Sequence, residues 1–202
     1  MIGPTTAPKG EPSVRILLIG APGAGQGTQA TLIAQRFGIT HISSGDLLRK
    51  HVTEQTSIGR AAKEFLARGD LVPDAVVMDM LRKPVVAASA SGGYVLDGFP
   101  RTVAQAEAAY ETARGLGVAV EVAVYLEVPA AALTRRLLAR GRGADDTPDV
   151  IAHRLEVFEA KTRPMLHYYS RREELITVNG ARPVTEVGWS IAVQLQQVLR
   201  RA

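Results

Sequence analysis

Apolar residues along the chain fall into two alternating rhythms. Short runs rich in branched side chains occur at residues 14–19 (Val-Arg-Ile-Leu-Leu-Ile), 39–42, 94–97 and 175–178. A longer one spans 118–128, broken only by Glu121 and Glu127. Such runs predict strands buried on both faces. Between them apolar residues recur at helical spacing. Helices are predicted over 28–37, with Leu32, Ile33 and Phe37 on one side, from Ser43 or Ser44 as cap to about Val52, and over 58–67, ending at Gly69. Another follows the turn Asp70-Leu-Val-Pro-Asp74, with Pro73 at an early helical position, and one runs from Thr102 to about Leu116. Pro129 opens a helix to Arg140, Thr147-Pro148 caps and begins a long one to Arg163, and the last covers 183–200. Strands alternating with helices imply right-handed crossovers and an α/β domain with a five-stranded parallel sheet covered by helices on both faces. Internal repeats are absent.

Between the first strand and the first helix lies Gly20-Ala-Pro-Gly-Ala-Gly-Gln-Gly-Thr28. Glycines let successive backbone N–H groups converge on one point, and the following helix N-terminus adds positive potential there. This is an anion cradle. The phosphate-binding loop G-x-x-x-x-G-K-[ST] finds its glycines at Gly20 and Gly25, but its lysine position holds Gln26. That lysine normally delivers a full positive charge to the outer phosphates, whereas Gln can only donate a hydrogen bond. Ligands in parallel sheets gather at the carboxyl ends of the strands. The loop, the stretch Asp97-Gly-Phe-Pro-Arg101 and an arginine cluster after the fourth strand all fall there, which points to phosphoryl transfer.

Composition narrows the class. The 202 residues suit one domain, 46% hydrophobic content is ordinary for a water-soluble chain, and the absence of cysteine excludes disulfides, thiol nucleophiles and cysteine-bound metal. A net charge of +4 comes with no aromatic platform, and its arginines sit in separated, motif-like positions, so phosphorylated small molecules explain it better than nucleic acid. Residues 1–13 hold three prolines, two glycines and no apolar run. They read as a disordered leader, neither signal peptide nor membrane span, and a cytoplasmic protein is expected. The four histidines show no pairing of a zinc site and carry no functional argument.

Taken together, G-A-P-G-A-G-x-G-T-Q-A, S-S-G-D-L-L-R, G-D-L-V-P-D, D-G-F-P-R-T-x-x-Q-A, R-G-R, D-D-T-P and N-G-x-R-P-V, in this order from about Val14 to Val198, resemble the adenylate kinases of the short-lid bacterial type. The resemblance implies a P-loop kinase fold over residues 14–202, with a nucleoside-monophosphate-binding segment at 43–72 and a short lid at 140–148, acting as a monomer. It implies magnesium-dependent transfer of the terminal phosphoryl of ATP to AMP, giving two ADP, with these nucleotides as the partners and neither nucleic acid nor membrane. By the same resemblance Gly23, Ala24, Gly25, Gln26, Gly27 and Thr28 would cradle the ATP phosphates, and the segment at Gly180 would meet its base. Ser44, Arg49, Gly98, Phe99, Pro100 and Arg101 would hold AMP, Asp70, Leu71 and Val72 would line its adenine, and Gln105 would read the adenine edge. Arg136, Arg140, Arg142 and Arg154 would surround the transferring phosphoryl, with Arg136 and Arg140 on the ATP side and Arg142 and Arg154 reaching AMP. Gln26, Arg101, Arg136, Arg142 and Arg154 form the catalytic set. Asp97 would act on magnesium through bound water, and Asp145 and Asp146 would fasten the lid.

The chain departs from that pattern at three places. Gln26 replaces the lysine, the lid has one residue more than R-G-R-A-D-D, and Ala75 stands where an acidic residue usually follows Pro-Asp. The first predicts a kinase of reduced turnover. The alternatives are a nucleotide-binding protein that no longer catalyses, serving as a sensor or interaction module, and a kinase for another nucleoside monophosphate.

Overall fold

The computed structural model describes residues 14–200, so the expected leader at 1–13 lies outside the described residues. The side chains of Ala144, Asp145 and Glu174 lie outside them too. Five parallel strands form one sheet, in the order β2-β3-β1-β4-β5. They are β1 (Val14–Gly20), β2 (Thr40–Ser43), β3 (Gly93–Asp97), β4 (Val122–Glu127) and β5 (Glu174–Asn179). Residues 16–19 of β1, the whole of β3 and residues 122–126 of β4 are buried, as strands covered on both faces must be. Leu18 pairs with Asp97, which in turn pairs with Ser43. The strand order reverses at β1, which is where a crevice opens above such sheets.

Nine α-helices are described: α1 (Gln26–Phe37), α2 (Ser44–Thr53), α3 (Ser57–Arg68), α4 (Asp74–Ala90), α5 (Val103–Gly115), α6 (Ala130–Arg140), α7 (Pro148–Val157), α8 (Met165–Ser170) and α9 (Val184–Leu199). Local chemistry sets their starts. Ser43, Thr56 and Thr102 accept hydrogen bonds from the backbone N–H groups of Asp46, Gly59 and Gln105, satisfying donors that the helix cannot. Gly93 begins β3 at φ 126°, where a Cβ would collide with the backbone of Val14.

The structure corrects several expectations. β4 is shorter than the apolar run 118–128, because the chain is diverted before it. The Val118 carbonyl accepts the Tyr94 hydroxyl at 2.7 Å, and the exposed Glu121 pairs with Arg15 at 2.5 Å. The helix expected to run to Arg163 stops at Val157 and widens into a π turn over Phe158–Thr162, followed by the unforeseen α8. The cause is Pro164, which has no N–H and whose ring crowds the carbonyl four residues back. The wider turn, closed by Arg163 N–H to the Phe158 carbonyl at 2.9 Å, absorbs it. Leu32 is 38% exposed, apart from buried Ile33. Pro73, Pro129 and Pro183 cap their helices rather than occupying the first helical position, and Thr147 makes no side-chain cap bond.

Behind β3, an apolar cavity of about 270 Å³ lies among α4, α5 and Tyr169. Glu173 reaches into its wall, with Oε2 buried and unpartnered. Burial pushes this carboxyl above its usual range. A group whose folded pKa is raised loses stability for the fold as pH rises through it. Glu173→Gln is therefore expected to stabilise the protein by about 1 kcal/mol, or ~2–4 °C in Tm, at pH 7.5. The gain should vanish by about pH 3, below the ordinary glutamate range, where Glu173 is protonated in both states. Calorimetry at the two pH values measures both.

Candidate functional site

At the carboxyl ends of β1 and β3 a cavity of about 740 Å³ opens, adjoining a smaller one of about 60 Å³. Arg49, Leu71, Gly98, Arg101 and Arg154 line both. The glycine loop forms the floor of the larger cavity. Gly23 and Gly25 have φ of 87° and 99°, a left-handed backbone that other residues rarely adopt. A Cβ on Gly23 would also sit 3.0 Å from the Leu133 carbonyl. Gly25 is the cap of α1 and makes no side-chain bond to the first turn, so those N–H groups are open to an anion. Gln26 turns away from that role, its Nε2 donating to the Leu18 carbonyl at 3.2 Å.

Asp97 ends β3 with its side chain 10% exposed. Its Oδ1 accepts the Ser43 hydroxyl at 3.1 Å, and its Oδ2 lies 2.5 Å from His41 Nε2. Both oxygens are thus already engaged from the β2 side. That suits a carboxylate that acts on a metal ion through water rather than by direct ligation, since magnesium keeps much of its hydration. Among the described residues no group of three or more His, Cys, Asp or Glu could hold a metal ion alone, so phosphate oxygens would have to complete the set.

Cations close the cavity from several elements. Arg101 follows Gly98, which has φ 78° and leaves no room for a Cβ against Ser44 Oγ at 2.5 Å. The Arg101 Nε donates to the Gly98 carbonyl at 2.7 Å, and its own carbonyl accepts the Thr162 hydroxyl at 2.8 Å. Burial, reinforced by Arg154 and Arg49, lowers its pKa to about 10, which leaves it a desolvated cation at neutral pH. Arg49 lies 2.5 Å from Asp46 at the start of α2, and Arg136 Nη2 donates to the Gly180 carbonyl at 3.0 Å.

The segment 140–148, expected as a lid, contains a short 3₁₀ turn, Gly143–Asp146, which packs against α3. Asp146, with its side chain 1% exposed, gathers Arg140 at 2.6 and 2.9 Å, the Arg142 N–H at 3.0 Å and Arg154 at 3.4 Å. Hydrogen bonds from Arg140 hold its carboxyl below the usual range against the opposing effect of burial. The clamp is thus charged wherever carboxylates ordinarily ionise and is lost only at lower pH. Asp145, the other expected fastener, is outside the described side chains.

Every residue expected at the site lines one of the two cavities. Gly23 to Thr28, Asp97, Pro100, Arg136, Arg140, Arg142 and Gly180 line the larger, and Ser44, Asp70, Val72, Phe99 and Gln105 the smaller. His41 and His153 are different: the sequence offered no argument for either. The structure sets His41 against Asp97, and His153 2.8 Å from Asp70, whose other oxygen meets Arg68 at 3.0 Å. The signal for His41 was its position two residues before Ser43 on a strand that pairs with β3, but that pairing is not readable from chain order. Asp46 and Arg182 are further wall residues the sequence did not single out.

Residues 18–174 match the family described as adenylate kinase. An adenylate kinase of Mycobacteroides abscessus is 45% identical over 174 residues, covering 86% of this chain and 94% of its own length. One of Trichodesmium erythraeum is 38% identical over 190 residues, covering 92% and 99%, and one of Nitrobacter hamburgensis is 40% identical over 195, covering 92% and 94%.

Proposed function

The chain belongs to the adenylate kinase family of phosphotransferases, and from that premise we propose that it transfers the terminal phosphoryl of ATP to AMP, reversibly and with magnesium, at a turnover lowered by Gln26. The observation that carries the proposal is convergence. A glycine loop at a helix N-terminus, a carboxylate at the end of β3 and seven arginines, two of them on α6 and the others from separate parts of the chain, face one cavity. Phosphoryl transfer needs positioning and charge neutralisation more than bond-making chemistry, and guanidinium forks match phosphate oxygens while staying charged.

In this reading the N–H groups of residues 23–28 hold the donor's phosphates, and Arg136 holds the chain at Gly180 beside the donor base. Asp97 would hold magnesium through its bound water, and the ion, arriving with ATP, would supply charge neutralisation at the phosphate oxygens. Arg49 and Arg101 grip the AMP phosphate so that one of its oxygens lies in line with the terminal phosphorus. As that oxygen bonds to phosphorus, the bond to the leaving ADP breaks, and Arg101, Arg142 and Arg154 offset the charge on the transferring group. The segment 43–72 and the lid at 140–148 exclude water that would otherwise hydrolyse ATP. No described helix is long and apolar enough to cross a membrane, and we take the protein as a monomer in the cytoplasm with nucleotides as its partners.

ADP formation from ATP, AMP and magnesium in a coupled assay tests the proposal, and none at high enzyme concentration overturns it. The Gln26 amide, turned onto Leu18, favours one second reading, a binder without turnover. Calorimetry showing tight ATP and AMP binding in a protein that makes no ADP would select it. Activity with another monophosphate in preference to AMP would instead select a different acceptor.

A further inference from the structure

Gln105 sits in the first turn of α5, is 2% exposed and lines the smaller cavity. Its carboxamide is held at both ends. Oε1 accepts the Arg101 N–H at 2.7 Å, and Nε2 donates to Asp74 Oδ1 at 2.7 Å. Which end is oxygen and which nitrogen follows from the partners. A backbone N–H requires an acceptor and a carboxylate requires a donor, so the reversed amide would set oxygen against oxygen and N–H against N–H. One Nε2 hydrogen and one Oε1 lone pair are left over, in a fixed order.

We propose that Asp74, the first residue of α4, is a positioning residue that sets acceptor specificity by locking the Gln105 amide in the sense that reads a 6-aminopurine. This rests on Gln105 being the reader of the AMP base. Adenine offers an acceptor at N1 beside a donor amino group at C6, and the locked amide supplies the complementary donor and acceptor. Hypoxanthine offers the reverse, an N1–H donor beside a C6 carbonyl, and only the flipped amide fits it. Between the two restraints the carboxylate is the stronger, because a hydrogen bond to a charged acceptor is roughly twice as strong as a neutral one. Asp74 does not line either cavity, so it acts on the base only through Gln105.

Calorimetric dissociation constants of the full chain for AMP and inosine monophosphate test this independently of turnover. Asp74→Ala is expected to shrink the preference for AMP about tenfold, whereas Asp74→Asn, which keeps an acceptor oxygen, retains most of it. Asp74→Ser, which preserves a helix-start residue but draws the acceptor oxygen back from Nε2, should behave as Asp74→Ala and serves if that variant does not fold. Gln105→Ala should abolish most of the preference. If Asp74→Ala and Asp74→Ser weaken both ligands equally, or neither, while Gln105→Ala removes the preference, Asp74 is structural and the inference fails. If Gln105→Ala leaves the preference intact, Gln105 does not read the base and the underlying reading fails with it.

Discussion

Gln26→Lys is expected to raise kcat by about a hundredfold or more. The rest of the cradle is in place: Gly23 and Gly25 hold the loop open, and Asp97, Arg101, Arg136 and Arg154 face the same space. Under the proposed reading, what is missing is a point charge where negative charge develops. The present amide bonds to the Leu18 carbonyl and carries no charge. A lysine stem has room to extend, since the Gln26 Cγ and Cδ already pass over Gly20, which carries no side chain to obstruct them. Removing one preorganised donor from a reacting site typically costs about 3 kcal/mol, on the order of 10²–10³-fold, and restoring a cation should return a similar factor. The dissociation constant for AMP should change far less, because its phosphate is assigned to Arg49 and Arg101. Steady-state kinetics on both proteins measures the split. A Gln26→Lys protein no faster than the parent would show that some other cation already serves this place, or that more than one part is lost.

Arg101→Lys is expected to lower kcat/KM for AMP by about 10²–10³-fold while leaving KM for ATP within a few-fold. The substitution keeps the charge, so an effect this large would come from geometry. The guanidinium is aimed by its Nε bond to the Gly98 carbonyl, and its backbone is pinned by Thr162 and by Gln105. An ammonium on a flexible stem cannot make that bond and at the same time present two parallel donors to a phosphate. Desolvation sharpens the difference, since burial penalises a compact, strongly hydrated ammonium more than a delocalised guanidinium. If Arg101→Lys retains full kcat/KM, Arg101 contributes charge alone, and the directional role given to Gly98 is wrong.

Much of this was legible before any coordinates. The glycine loop, the β3 terminus and the arginines could be found because phosphate chemistry demands particular residue types at strand ends, and chain order alone implied a parallel sheet. What sequence could not supply was lateral adjacency. His41 meets Asp97 only because β2 lies beside β3 at the sheet edge, and Asp74 meets Gln105 across 31 positions of chain. Periodicity also misjudged residues whose fate depends on a neighbour. The run 118–128 is as apolar as a strand, yet its first part is held by Tyr94 and Arg15 rather than by strand pairing. The helix toward Arg163 had its breaker, Pro164, in plain view, but a π turn as the way of accommodating it leaves no pattern of its own.

The segments 140–148 and 43–72 do not merely line the same cavity; they touch. The 3₁₀ turn packs on α3, Arg154 lies against Gly69 while reaching Asp146, and His153 bridges to Asp70. Under the proposed reading one flap belongs to the donor and the other to the acceptor, so the energy of bringing them together is shared property of the two ligands. Thermodynamic linkage then leaves no freedom of sign: by whatever factor bound ATP tightens AMP, bound AMP must tighten ATP. Such a device also penalises half-occupied closure, because a flap that shuts alone forgoes the contacts its counterpart would have made. Under that reading, selective commitment to the fully loaded complex, and with it restraint of wasteful ATP hydrolysis, would follow from where the 3₁₀ turn meets α3.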